Sequence, residues 1–130
     1  MKTTIVRLAI PAMFALALGA GPARADADAA RGQAIFKRTC GVCHSPEIGV
    51  NRIGPSLFGV VGRPIATLPD YVYSDKLKAM RTSWGRWDDT TLDSYLLNPR
   101  EVLHGVKMYF KGLPEGQDRA DVIAYLRSLK

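Results

Sequence analysis

A chain of 130 residues has the length of one small domain, and no second domain is expected. Its 18 basic residues against 12 acidic ones give a net charge of +6, but no dense basic stripe with interleaved aromatics occurs, which excludes a nucleic-acid binder. A domain this small buries a limited core from its own side chains, so a large apolar cofactor would enlarge it.

The first segment, residues 1–25, opens with Lys2 and Arg7, continues through an apolar run to Leu18 and closes on Ala23-Arg24-Ala25. This is the layout of a cleaved secretory signal. Pro11 interrupts the run, which falls short of the roughly 20 apolar residues that cross a bilayer, so no stable membrane anchor is expected. Cleavage after Ala25 leaves residues 26–130 as the working domain, with the periplasm as its destination. Loss of Lys2, Arg7 and Arg24 lowers the net charge from +6 to +3, so the high whole-chain pI belongs partly to the leader.

Between Ala27 and Thr39, the residues Gly32, Ile35, Phe36 and Thr39 recur at helical spacing, which predicts a short amphipathic helix that delivers Cys40. From Ser45 to Tyr73 the glycines and prolines predict mostly loop. Ser74 caps an expected short helix over 75–80, and Asp88 or Asp89 caps a longer one that reaches about Leu97 before Pro99 stops it. The inner face of that helix is predicted as Leu92, Tyr95 and Leu96. After a turn marked by Gly112, Pro114 and Gly116, the last segment sets Val122, Ile123, Leu126 and Leu129 on one apolar stripe, with Asp118, Asp121, Arg127 and Lys130 outside it. Sustained strand-like alternation is absent, so the class is all-α with long loops. Loops of that length in a compact domain need a functional reason or something to wrap.

Cys40-Gly41-Val42-Cys43-His44 has the pattern of c-type haem attachment. Two intervening residues let both sulfurs reach the two vinyl edges of one haem while the next histidine turns beneath the ring toward the iron. A thioredoxin-like redox pair uses the same cysteine spacing but expects a preceding strand and a βαβ context, whereas a helix precedes here. A zinc site would have to combine Cys40, Cys43, His44 and His104, and adjacent Cys43 and His44 do not readily face one tetrahedral ion. A disulfide, the ordinary fate of two cysteines in an exported protein, leaves His44 without a role.

A haem that only carries electrons is usually closed on both faces. The donors available for the second face are Met108, in a loop after the proline-terminated helix, His104 four residues earlier, and Met80 in or just after the short helix. A methionine without context is as readily core filler as ligand.

Tyr95-Leu-Leu-Asn-Pro99, Gly105-Val-Lys-Met108-Tyr-Phe110-Lys-Gly112 and Arg119-Ala-Asp-Val-Ile-Ala-Tyr125-Leu126 together resemble the class I cytochromes c, the family of mitochondrial cytochrome c. Gly32 and Phe36 ahead of the attachment motif, Gly54-Pro55 after it, and Gly62-Arg63, Tyr73 and Trp87 in family order extend the likeness over nearly all of residues 26–130. The resemblance implies a small cytochrome c fold, with three main helices, shorter ones and long loops around one covalent haem c held through Cys40 and Cys43. It implies His44 and Met108 as iron ligands and Pro55 as the residue whose carbonyl orients His44 through its second ring nitrogen. It further implies that Tyr73 and Trp87 donate to a haem propionate near Arg63, that Tyr95 lies beside the Met108 sulfur, and that Gly32 and Phe36 meet Val122 and Tyr125 where the first and last helices cross. Trp84 is a rival to Trp87 in that role. Two positions depart from the family pattern: His104 stands where proline is common, which removes a rigid turn residue, and Val106 stands where threonine is frequent.

Closed histidine/methionine ligation leaves no open iron position, which predicts an electron carrier rather than an enzyme. The expected role is a monomeric periplasmic shuttle of single electrons between a donor and an acceptor protein. The alternative is a haem c subunit bound tightly in a periplasmic oxidoreductase complex. Lys37 and Arg38 beside the motif, with Arg100, Lys107 and Lys111 about the ligand loop, are placed to steer an acidic partner.

Overall fold

The computed structural model describes residues 26–106 and 108–130, so the leader reading of residues 1–25 and the placement of Lys107 lie outside the described residues. Five helices follow in chain order: α1 (Ala29–Thr39), α2 (Asp75–Trp84), α3 (Asp89–Leu97), α4 (Pro99–Val102) and α5 (Gly116–Ser128). Among the described residues the one extended pairing is an isolated antiparallel bridge between Pro64 and Arg86. No described helix is long and apolar enough to cross a membrane.

Four of the five helices start where a side chain accepts from a first-turn amide, and α5 starts after Glu115 without such a bond. The Asp28 carboxylate accepts from the amides of Ala30 and Arg31, and the Ser74 hydroxyl accepts from that of Leu77. Asp88 and Thr91 form a reciprocal capping box at α3. The short second helix runs a turn beyond its expected end at Met80, to Trp84, and is capped by Gly85, whose amide bonds back to Arg81. Pro99 does end α3, yet it also opens α4 from its first turn, where its missing N–H costs nothing, with Asn98 as the cap.

The core sits where α1 crosses α5. Ile35 and Phe36 meet Val122, Tyr125 and Leu126 there, with the Phe36 and Tyr125 rings 5.2 Å apart between centroids. A Cβ at Gly32 would overlap the Asp121 carbonyl, so only glycine allows the two helices to cross this closely. Asp121, which the spacing sets outside the apolar stripe, is buried. Its carboxylate accepts from the Asp28 amide at 2.7 Å, Arg31 Nε at 2.8 Å and Gln117 Nε2 at 3.0 Å. Those donors hold the Asp121 carboxyl down to about 2. α3 lies against α5 through Asp93 and Arg119, 2.7 Å apart, and through Asp89 and Arg127. Two loops, 40–74 and 103–115, close the rest of the molecule around a cavity.

Candidate functional site

The cavity has a volume of about 640 Å³ and is walled mainly by apolar side chains from every part of the fold. That size and lining suit a bound cofactor. Leu92, Tyr95 and Leu96 come from α3, Val122 and Leu126 from α5, Leu77 from α2, and Leu57, Val60, Val106 and Phe110 from the loops.

α1 ends at Thr39, and the backbone then folds into a tight turn in which the Cys43 and His44 amides both donate to the Cys40 carbonyl, at 3.0 and 2.9 Å. This turn brings Cys40, Cys43 and His44 together on the cavity. The two cysteines are not joined in a disulfide. Burial pushes the Cys40 thiol up to about 11, the reverse of the lowered pKa that a redox-active pair requires. Among the described residues no group of three or more His, Cys, Asp or Glu side chains is arranged to hold a metal, so His104 does not join the motif in a zinc site.

His44 Nδ1–H donates to the Pro55 carbonyl at 2.7 Å, which leaves Nε2 as the nitrogen with a free lone pair. Burial pulls the imidazole pKa down against the opposing effect of the Pro55 bond, favouring the neutral form that coordinates metals. A Cβ at Gly54 would overlap the His44 ring, so the chain runs flat against the imidazole there. The segment is pinned further by the Gly54 amide on the Cys43 carbonyl at 2.8 Å and by Arg52 on the Gly41 carbonyl at 2.7 Å.

Met108 lines the same cavity, whereas the two competing donors do not. Met80 is buried in the hydrophobic core, and His104 is exposed. Of the two tryptophans, Trp87 is buried in the core and also lines the cavity, its ring 5.0 Å from Tyr95, whereas Trp84 packs partly buried against the core and is not on the wall. Pro55, Arg63, Tyr73 and Tyr95 are also on the wall. Arg63 is braced by the Phe58 and Ser56 carbonyls at 3.0 and 3.1 Å. Burial pushes the Tyr73 phenol up and the Tyr95 phenol up to about 12, so both remain protonated donors at neutral pH. Lys37, Arg38, Arg100 and Lys111 are exposed and outside the wall.

Two thiols with two residues between them, a neutral imidazole with one free nitrogen, a thioether and a mostly apolar cavity edged by Arg63, Tyr73 and Trp87 form a donor set that fits haem c. A family model described as Cytochrome c matches residues 29–130. The chain belongs to the cytochrome c family. It is 43% identical over 103 residues to a cytochrome c of Euglena viridis, covering 79% of this chain and 98% of that protein. It is 45% identical over 101 residues to a cytochrome c of Gossypium barbadense, covering 77% and 88%. It is 45% identical over 108 residues to the cytochrome c-type cyt cy of Rhodobacter capsulatus, covering 83% of this chain and 52% of that protein. As a class I c-type cytochrome it holds one haem c covalently through the cysteine pair Cys40 and Cys43, and it is an electron carrier that exchanges with redox partners.

Two features of this cytochrome had no mark in the sequence pattern. Lys76 Nζ donates to the His104 carbonyl at 2.7 Å, and Tyr71 donates through its hydroxyl to the Ile53 carbonyl at 2.9 Å, closing the rim of the cavity. A lysine on a polar helix and a tyrosine in a loop read as surface until the chain is folded.

Proposed function

We propose that this cytochrome shuttles single electrons in the periplasm, with His44 and Met108 as the two residues that would hold the haem iron. The observation that carries the reading is that His44 and Met108, brought from distant segments, line one cavity with both attachment thiols. When bound, haem c supplies a one-electron couple whose potential a histidine/methionine pair raises.

The chain's own residues do the rest. Pro55 fixes the His44 tautomer, which leaves Nε2 without a proton as the nitrogen that would hold the iron. Tyr73 and Trp87 supply donors for a propionate, and the braced Arg63 tempers its charge. Tyr95, on the wall with Met108, is the neighbour expected beside the sulfur. The apolar wall limits water, which keeps reorganisation around a changing charge small. The exposed cations Lys37, Arg38, Arg100 and Lys111 steer an acidic partner. The leader pattern of residues 1–25 supports the periplasm as the compartment.

The ligand assignment is tested with ferric holoprotein. Met108→Ala is expected to lose the sulfur-to-iron charge-transfer band and His104→Ala to keep it; the reverse pattern makes His104 the ligand. A mature N-terminus at Asp26 in a periplasmic fraction is the expected result for the compartment. Elution as a free monomer separates a shuttle from a subunit, which would copurify with its enzyme.

A further inference from the structure

The turn that precedes Met108 has two features that ought to weaken it. His104 is free of the φ restriction that a proline would impose, and Gly105 sits at φ 79°, a conformation with no side chain to hold it. Within the turn the Val106 amide bonds the Leu103 carbonyl at 3.1 Å. Behind it Leu103 is buried, but His104 and Gly105 are exposed.

A tie comes from another helix. Lys76, in the first turn of α2, places its Nζ 2.7 Å from the His104 carbonyl oxygen. A Cβ built on Gly105 would lie 3.1 Å from the same Nζ, so the ammonium is seated against the turn itself. The neighbouring α2 residue, Leu77, lines the cavity together with Gly105, Val106 and Met108. α2 therefore touches this region twice, through an apolar side chain inside and a charged strap outside.

We propose that Lys76 is a positioning residue for Met108: its ammonium holds the His104 carbonyl, and with it the turn that keeps the thioether at the cavity. The inference rests on the reading of Met108 as an iron ligand. The strap does in this chain the restraining work that a proline at 104 would do by fixing φ. A hydrogen bond from a charged donor at an exposed site contributes modestly, so its loss opens the loop by a factor of about five.

The experiment is imidazole titration of the ferric holoprotein, in which added imidazole competes with the thioether for iron. Lys76→Ala is expected to bind imidazole about five times more tightly than wild type. Lys76→Arg, which keeps a charged donor, should remain near wild type, as should Lys78→Ala, a neighbouring exposed lysine that pairs with Asp75 instead. His104→Pro placed in the Lys76→Ala protein should restore the wild-type affinity. Helical circular dichroism and the thermal midpoint of Lys76→Ala should stay close to wild type, which separates a positioning role from a general loss of stability. If the wild-type ferric protein shows the sulfur-to-iron band but Lys76→Ala binds imidazole no more tightly, the strap is wrong and the ligand reading stands. If the wild-type protein lacks that band, the ligand reading falls and takes the strap with it.

Discussion

The two loops that close the cavity are built to different standards. The loop after α1 is tied to itself at short intervals: His44 to Pro55, Gly54 to Cys43, Arg52 to Gly41, Ser56 to Glu47, and Arg63 to Ser56 and Phe58. Among the described residues, the loop that carries Met108 is held mainly at its ends, by the turn at Leu103–Val106 with its Lys76 strap and by the Leu113 amide on the Leu96 carbonyl. Between those ends Tyr109 is 97% exposed, with Arg100 lying 5.8 Å from its ring centroid. Local opening starts where backbone bonds are few and side chains face water. The histidine side of the site is thus the fixed wall and the methionine side the hinged one.

The largest effect tests the fixed wall at its covalent root. Replacing both Cys40 and Cys43 with alanine should abolish covalent haem, read as loss of haem staining on a denaturing gel, because no other cysteine exists in the chain. Gly54→Ala comes next. Its new Cβ must displace the His44 ring or the Pro55 segment, and the overpacking should cost about 2 kcal/mol in denaturant unfolding of the holoprotein. Gly105→Ala is the matching change on the hinged wall. A left-handed backbone position costs about 1 kcal/mol for alanine, so it should destabilise less than Gly54→Ala while raising imidazole affinity. A larger loss at Gly105 than at Gly54 would break the contrast between the walls.

A smaller effect provides a control outside both walls. The Asp121 carboxyl is held down to about 2 in the folded protein, from an ordinary 3.8, first of all by its bond from Arg31. A lowered folded-state pKa gives stability that is present above the ordinary value and is lost as pH falls toward the folded one. Asp121→Asn should therefore lower stability by about 1 kcal/mol at neutral pH and flatten the acid dependence between about pH 4 and about pH 2. The sulfur-to-iron band should be unchanged at neutral pH, because this group ties α1 to α5 and touches neither loop.

Much of this organisation is legible in the sequence because it depends on neighbours along the chain. The caps Ser74 and Asp88 mark the starts of α2 and α3, and the cysteine spacing and the histidine after it mark the attachment turn. Met108 and Trp87 are set apart from Met80 and Trp84 by resemblance to the family; in the fold Met108 and Trp87 line the cavity, Trp87 as part of the core as well, while Met80 and Trp84 are off the wall. The extra turn of α2 was written in Gly85, a residue able to adopt φ 73° and end the helix there. What could not be read are bonds between polar residues far apart in the chain. Asp121 takes its partners from the start of α1, and Lys76 finds a backbone carbonyl in a different loop. Polarity pattern assigns both to the surface, and only the crossing of helices and the return of the loop provide their partners.

The contrast between the two walls meets its most direct test in one titration of the ferric holoprotein with guanidinium, following the sulfur-to-iron band and the helical circular dichroism together. The band is expected to disappear at a lower denaturant concentration than the helices, leaving a species that keeps its helices and its covalent haem but has lost the methionine bond. Loss of both signals in a single coincident transition would contradict a hinged methionine wall on a fixed histidine wall.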